Sequence, residues 1–87
     1  MATRKSMDDF FQQCEDVIRF AQNEYNEANK QEHYNNDNYT EALNKIEETY
    51  NDLTGLAHSA NGQQREQLHR MRLQLQQIQN SMILLDQ

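Results

Sequence analysis

The stretch from Leu68 to Leu85 reads LHRMRLQLQQIQNSMILL, and the spacing of its apolar residues decides the fold class. Leucine, methionine and isoleucine recur at alternating intervals of three and four residues, which places them on one face of an α-helix. A strand, whose side chains alternate with a period of two, does not fit this spacing. The stretch therefore predicts a helix over residues 63–85. Its apolar positions are Leu68, Met71, Leu75, Ile78, Met82 and Leu85.

A similar pattern of apolar residues runs from Met7 to Ala28 and predicts a first helix over residues 7–32. Ser6 directly precedes this pattern, and serine is a preferred N-cap residue because its hydroxyl accepts a hydrogen bond from a free backbone N–H. Residues 1–5 lie before the cap, and we expect them to form a flexible tail.

The middle of the chain predicts another helix, over residues 39–59, by the same spacing of apolar residues. It is separated from the first by residues 31–38, which are rich in asparagine and favour a turn. Asn38 and Glu41 have the three-residue spacing of a capping box, so we expect Asn38 to be the N-cap. Gly55 lies inside this helix, where glycine costs about 1 kcal/mol relative to alanine, unless it marks an early end of the helix.

A second break is predicted at Asn61 and Gly62, and it allows two local structures. Gly62 suits the left-handed position that follows a helix. Alternatively, Asn61 and Gln64 form a capping box that begins the next helix. A single helix running through this point also remains possible.

The 87 residues suffice for one domain, residues 1–87, and we predict an all-α fold. Three helices joined by short loops favour an antiparallel up-down-up bundle with coiled-coil-like packing at about 20°. The alternative is a two-helix hairpin with one long helix. The absence of proline and the low mean hydropathy of −1.14 favour long helices with narrow apolar stripes. The predicted core residues are Phe10, Val17, Ile46, Leu53, Leu68, Leu75 and Ile78.

The charge of the chain disfavours two classes of partner. Fourteen acidic and eight basic residues leave a formal charge of −6. Nucleic acids and anionic membranes attract basic proteins, so we expect neither as a partner. No stretch approaches the ~18 apolar residues of a membrane span, and no signal peptide is visible. We therefore expect a cytoplasmic location.

The residues that could carry chemistry are few. Cys14 lies on the apolar face of the first helix, where a buried, inert cysteine is the ordinary interpretation. His33, His58 and His69 have no second ligand at the short spacings that metal sites use. We predict no catalytic residue, metal, cofactor or small-molecule substrate, and hence no enzyme. A metal- or thiol-dependent protein that gathers Cys14 and the histidines is the remaining alternative of this kind.

The best candidate for a functional surface lies in the last third of the chain. Residues 1–60 contain five basic and twelve acidic residues, whereas residues 61–87 contain three basic and two acidic ones. Helical spacing places Arg65, His69 and Arg72 on one face. Leu73 and Leu84 are nearly three whole turns apart and point the same way. We predict that Arg65, His69, Arg72, Leu73 and Leu84 form a protein-interaction surface.

Two functions are compatible with this surface and with the charge of the chain. The first is an interaction or structural module that self-associates as a homo-oligomer, most simply a dimer, or that binds another protein. In this case the C-terminal end of the last helix is the expected contact, because residues 73–85 carry no charge. The alternative is an acidic monomeric regulator that binds a basic protein through the face from Glu41 to Asp52. The arginines could also simply pair with that acidic face within one chain.

Three segments resemble a small helical protein family of Bacillus and related Firmicutes. The longest is residues 59–77, SANGQQREQLHRMRLQLQQ, and the others are QEHYN at 31–35 and YNDL at 50–53. The resemblance extends over nearly the whole chain. The family is one of unknown function, so the resemblance implies a bacterial cytosolic protein and supplies no catalytic residues.

Overall fold

The computed structural model describes residues 4–30 and 36–85, and within them it contains three α-helices. Helix α1 spans Arg4–Lys30, α2 spans Asn36–Ala57 and α3 spans Gly62–Leu85. Each helix packs against both of the others. The predicted all-α three-helix bundle is confirmed.

The bundle has the up-down-up arrangement that short loops favour. Phe10, near the start of α1, and Leu56, near the end of α2, line one groove. Met7 in α1 and Gln64 in α3, both near the starts of their helices, line another. α1 and α3 therefore run in the same direction and α2 runs against them. The chain leaves helical structure between α2 and α3, which excludes the long hairpin.

The core forms along the line where the three helices meet. Six of the seven predicted core residues are buried, and Val17 is the exception because it lies at the edge of the α1 stripe and is only partly buried. Small side chains such as Ala21 and Ala42 are fully buried and let the helices approach closely. The largest fully buried side chains are Tyr39, Ile46, Leu68, Leu75, Met82, Thr49 and Cys14.

The start of α1 differs from the prediction. The helix begins at Arg4, so Ser6 lies inside it and is not the N-cap, and part of the expected tail is helical. Met7 is only 2% exposed, and this burial near the start of α3 stabilises the turn that contains it. Residues 1–3 and the predicted end at residue 32 lie outside the described residues.

The start of α2 also differs from the prediction. The helix begins at Asn36, so Asn38 lies within it and is not the N-cap. Tyr39 is 1% exposed and its hydroxyl bonds to α3, which holds this first turn in place. Residues 31–35 of the predicted break lie outside the described residues. The helix ends at Ala57, two residues earlier than expected.

The junction between α2 and α3 forms a capping box, which is the second of the two local structures predicted for it. The backbone N–H of Gln64 donates to Asn61 Oδ1 at 2.8 Å, and the backbone N–H of Asn61 donates to Gln64 Oε1 at 3.0 Å. This is a reciprocal capping box. Gly62 begins α3, and no described glycine has a positive φ, so the left-handed cap does not form.

Candidate interaction surface

The C-terminal part of α3 carries several exposed apolar side chains. Among the described residues, the large hydrophobic side chains that are exposed are Leu73 at 51%, Ile83 at 45%, Leu84 at 69% and Leu85 at 36%. All four lie within residues 73–85 of α3. Scattered exposed leucines are normal, so it is their grouping within one segment of one helix that makes this segment the candidate surface.

Leu73 and Leu84 lie opposite the buried side of α3. At 100° per residue, eleven residues make about three turns, so both side chains point in nearly the same direction. The rise of about 1.5 Å per residue places them about 16 Å apart along the helix axis. Both of these predicted residues are therefore available to a partner.

Two residues that the sequence interpretation left out complete this face. Gln77 and Asn80 are not buried and fall between Leu73 and Leu84 at spacings of four, three and four residues. We name Leu73, Gln77, Asn80 and Leu84 the outer stripe. Its spacing is that of a second heptad seam, on the side of α3 opposite the buried seam. That spacing is visible in the sequence, but the apolar residues alone do not reveal it.

Charged residues precede the outer stripe on the same face. Glu66 and Arg70 continue its spacing toward the start of α3, and Arg70 Nη2 lies 2.9 Å from Glu66 Oε1. Their side chains are 66% and 72% exposed, so this ion pair contributes little to stability. The outer face of α3 is thus charged in its first half, and neutral from Leu73 onward.

The two predicted arginines, Arg65 and Arg72, contact α2 or its connection to α3. Arg72 Nε donates to the hydroxyl of Tyr50 at 2.7 Å, and its guanidinium lies 5.6 Å from the centre of that ring. Arg65 Nε donates to the backbone carbonyl of Ala60 at 3.1 Å. Both acceptors are neutral, so these arginines do not form the expected pairs with the carboxylates of α2.

The five predicted surface residues therefore divide into two groups. Arg65 and Arg72 are oriented toward α2 and its connection to α3. Leu73 and Leu84 point away from the bundle, and His69 is exposed between the two groups. Arg72 belongs to the first group because it contacts Tyr50. The two residues are 22 positions apart, so the sequence pattern does not predict this contact.

An acidic groove lies between α1 and α2. Asp9 and Asp16 from α1 and Glu48 from α2 line it, together with Lys45. The acidic residues at both ends of the predicted face, Glu41 and Asp52, are also exposed. Neither of these two residues lines the groove, which shares only Glu48 with the acidic residues of the predicted face.

Comparison with known proteins assigns the chain to a family. The model of a family described as "Protein of unknown function (DUF2524)" matches residues 1–84. The chain belongs to this family. It is also 51% identical, over 84 residues, to the uncharacterized protein YtzC of Bacillus subtilis strain 168, with 97% of this chain and 93% of that protein covered. The resemblance to a Bacillus family is confirmed. No solved structure matches the chain.

Cys14 of this DUF2524 protein is buried, as its position on the apolar face predicts. Its side chain is fully inaccessible. Burial raises the pKa of the thiol to about 12, and the negative charges of Asp52 and Glu15 act in the same direction. Because the thiolate is the nucleophilic form, this cysteine is inert at neutral pH.

The histidines of this DUF2524 protein do not lie together with other metal-binding side chains in the part of the chain that the structure describes. His58 and His69 are both exposed, and His33 lies outside the described residues. No group of three or more His, Cys, Asp or Glu side chains converges within residues 4–30 and 36–85. None of the helices in those ranges is long and apolar enough to cross a bilayer.

Proposed function

We propose that this protein is a non-catalytic interaction module that associates with a second copy of itself through the outer face of α3. The observation that supports this proposal is that, among the described residues, the exposed large apolar side chains are confined to residues 73–85 of α3, a segment without a charged residue. Covering these side chains with a second copy removes apolar surface from water, which contributes about 25 cal/mol per Å².

The distribution of charge also favours α3 as the contact between two copies. Each copy carries a formal charge of −6, so two copies repel each other overall. α1 and α2 each contain more acidic than basic residues, whereas α3 contains three arginines and one glutamate. Among symmetric contacts, in which both copies use the same helix, a contact through the uncharged residues 73–85 of α3 brings the fewest like charges together.

The size of the surface sets the expected affinity. One helix of 24 residues that contacts a second copy along half its length covers less than the ~1,200–2,000 Å² of a standard interface. We therefore expect a weak dimer, with a dissociation constant in roughly the micromolar to submillimolar range. Such a dimer forms and dissociates with protein concentration.

Sedimentation equilibrium over a range of protein concentrations tests this proposal. The unmodified protein should change from monomer to dimer as its concentration rises. Leu73→Lys combined with Leu84→Lys should remain monomeric, because an ammonium group on this face would have to be desolvated on association.

A matched variant separates this local effect from the added charge. Asn44→Lys combined with Asn51→Lys adds the same two charges at exposed positions of α2, seven residues apart, and should dimerise like the unmodified protein. Circular dichroism should show all variants folded. An unmodified protein that stays monomeric up to about 1 mM would contradict the proposal, because a weaker dimer falls outside the expected range.

A second candidate function is favoured by the acidic groove between α1 and α2. In this function, the protein is a monomer that binds a basic protein segment through Glu41, Glu48 and Asp52. Titration with a lysine-rich peptide should then give binding that survives about 150 mM salt, where the Debye length is about 8 Å. Binding that disappears at this salt concentration, or that Glu48→Lys leaves unchanged, would count against this function.

A further inference from the structure

The outer stripe of α3 has an order that reads the same in both directions. Leu73, Gln77, Asn80 and Leu84 follow one another at spacings of four, three and four residues, with leucines at the ends and amides in the middle. The midpoint between the two leucines coincides with the midpoint between the two amides. A twofold axis through this point therefore places leucine on leucine and amide on amide in two antiparallel helices.

We propose that two α3 helices pair in an antiparallel orientation about a twofold axis midway between Gln77 and Asn80. This inference rests on the proposed self-association and specifies its geometry. Leu73 of one copy packs against Leu84 of the other, at both ends of the contact. Gln77 of one copy faces Asn80 of the other near the axis.

The charges of α3 select the antiparallel orientation over the parallel one. A parallel pair would also match leucine with leucine, but it would bring Glu66 opposite Glu66 and Arg70 opposite Arg70 at a helix separation of about 8–10 Å. In the antiparallel pair, the two Arg70 residues lie about 17 residues apart along the axis, or about 26 Å. This distance exceeds the Debye length of about 8 Å at physiological salt. The dipoles of two antiparallel helices also oppose each other favourably.

The antiparallel pair covers a further exposed apolar residue. Ile83 lies beside the outer stripe, and in this register it is almost level with Leu73 of the second copy. Ile83 and Leu84 of one copy then surround Leu73 of the other, and the symmetry makes two such apolar clusters. Each cluster lies at one end of the contact, about 8 Å from the axis.

The central amides determine the register. Gln77 and Asn80 each have donors and an acceptor, so a facing pair can form hydrogen bonds as it loses water. Sliding one helix along the other by a turn would place an amide against a leucine and leave it without a partner. A polar residue in a heptad seam commonly specifies register in this way, because a buried polar group without a partner is costly.

Disulfide cross-linking tests the orientation. Two variants are made, Leu73→Cys and Leu84→Cys, and one of them carries a uniform nitrogen-15 label so that mass spectrometry distinguishes the different dimers. Each variant alone, and an equal mixture, is oxidised under mild conditions. The unmodified protein is the control, because Cys14 is buried and should not cross-link.

If the pair is antiparallel, the mixed disulfide should dominate. This disulfide joins the thiol introduced at position 73 of one copy to the thiol introduced at position 84 of the other. Disulfides require Cα atoms within about 7 Å, whereas identical positions in the antiparallel pair lie at least about 16 Å apart. We expect the amount of mixed dimer to exceed the amount of either homodimer by about tenfold, because a homodimer disulfide forms only when two copies meet outside the antiparallel arrangement. Gln77→Leu combined with Asn80→Leu should reduce this preference, because the register then loses its polar determinant.

The alternative outcomes separate this inference from the proposed function. Dominant homodimers from Leu73→Cys alone would establish a parallel pair, which overturns the orientation but leaves self-association standing. A dimer in sedimentation without any cross-link at these positions would overturn the use of the outer stripe. A monomer in sedimentation would overturn both.

Discussion

The hydroxyl of Tyr39, in the first turns of α2, donates a hydrogen bond of 2.6 Å to the backbone carbonyl of Met82, in the last turn of α3. The two residues are 43 positions apart, and both are buried. This bond joins the ends of two helices whose connecting segment lies at the opposite end of the bundle. It therefore stabilises the end of the bundle where the outer stripe terminates.

Removing this hydroxyl should destabilise the fold. We expect Tyr39→Phe to lower the free energy of unfolding by about 0.5–1.5 kcal/mol, the usual net value of an internal hydrogen bond. Tyr50→Phe is the matched control, because its hydroxyl accepts a hydrogen bond from the exposed Arg72, and its effect should stay within about 0.5 kcal/mol. Urea unfolding of both variants measures the difference. Equal losses of unfolding free energy in the two variants would mean that the Tyr39 hydrogen bond stabilises the fold no more than the exposed Tyr50 hydrogen bond does.

Truncating a leucine to alanine should strongly destabilise the fold on the buried side of α3 and have little effect on its exposed side. Leu75 is fully buried, so Leu75→Ala should cost about 2–5 kcal/mol. Leu73, two residues away and 51% exposed, should tolerate the same change within about 0.5 kcal/mol. Unfolding at low protein concentration, where the proposed dimer dissociates, gives both values. A stability unaffected by Leu75→Ala would contradict the assignment of the buried seam.

The capping box at the start of α3 should also be measurable. Asn61→Ala removes the side-chain acceptor for the N–H of Gln64 and should cost about 0.5–2 kcal/mol. Asn44→Ala, at an exposed position in the interior of α2, should be neutral or slightly stabilising because alanine has the higher helix propensity. Thermal unfolding compares the two. A stabilising effect of Asn61→Ala would show that the cap is unimportant.

A glycine in α2 offers a stabilising substitution. Gly55 lies in the last turn of α2, its φ is not positive, and a Cβ atom at this position would meet no atom within 4 Å. Gly55→Ala should therefore raise the free energy of unfolding by about 0.4–1 kcal/mol, chiefly by restricting the unfolded chain. Differential scanning calorimetry should show a higher Tm. A lower Tm would contradict this prediction, because it would mean that the added methyl group meets a steric conflict that the structure does not show.

The buried thiol should make stability depend on pH in the alkaline range. The pKa of Cys14 is raised from 9.0 to about 12, so between these values the unfolded state loses a proton that the folded state keeps. Stability from this group is fully present below about pH 9 and falls as the pH rises toward about 12. At about 1.4 kcal/mol per pH unit, the loss over the first two pH units above the unfolded pKa is on the order of 2–3 kcal/mol.

Comparison with Cys14→Ala isolates this contribution from the other groups that titrate at high pH. The variant should be somewhat less stable than the unmodified protein at neutral pH, because it loses the packing of the sulfur atom. The difference in unfolding free energy should shrink, and then reverse, as the pH rises above about 9. A difference that stays constant up to about pH 11 would contradict the raised pKa.

Much of the fold follows from local patterns that the sequence displays by itself. Apolar residues recurring once per helical turn determined that the fold is all-α and which side of each helix is buried, because helical periodicity depends only on neighbouring residues. The cap formed by Asn61 and Gln64 was one of the alternatives that the sequence offered, since its two partners are three residues apart, and the structure selected it. Leu73 and Leu84 could be placed on one outward face for the same reason.

Tertiary structure decided the features that depend on residues distant in the chain. α1 and α2 begin earlier than their local caps indicate, because Met7 and Tyr39 are buried against α3 and hold an extra turn in helical form. Arg72 faces α2 because Tyr50 supplies both a hydroxyl and an aromatic ring to it. Contacts across 22 or 43 residues leave no periodic signal, so only the packing of the helices reveals which charged side chains contact a neighbouring helix and which face of α3 stays uncovered within one copy.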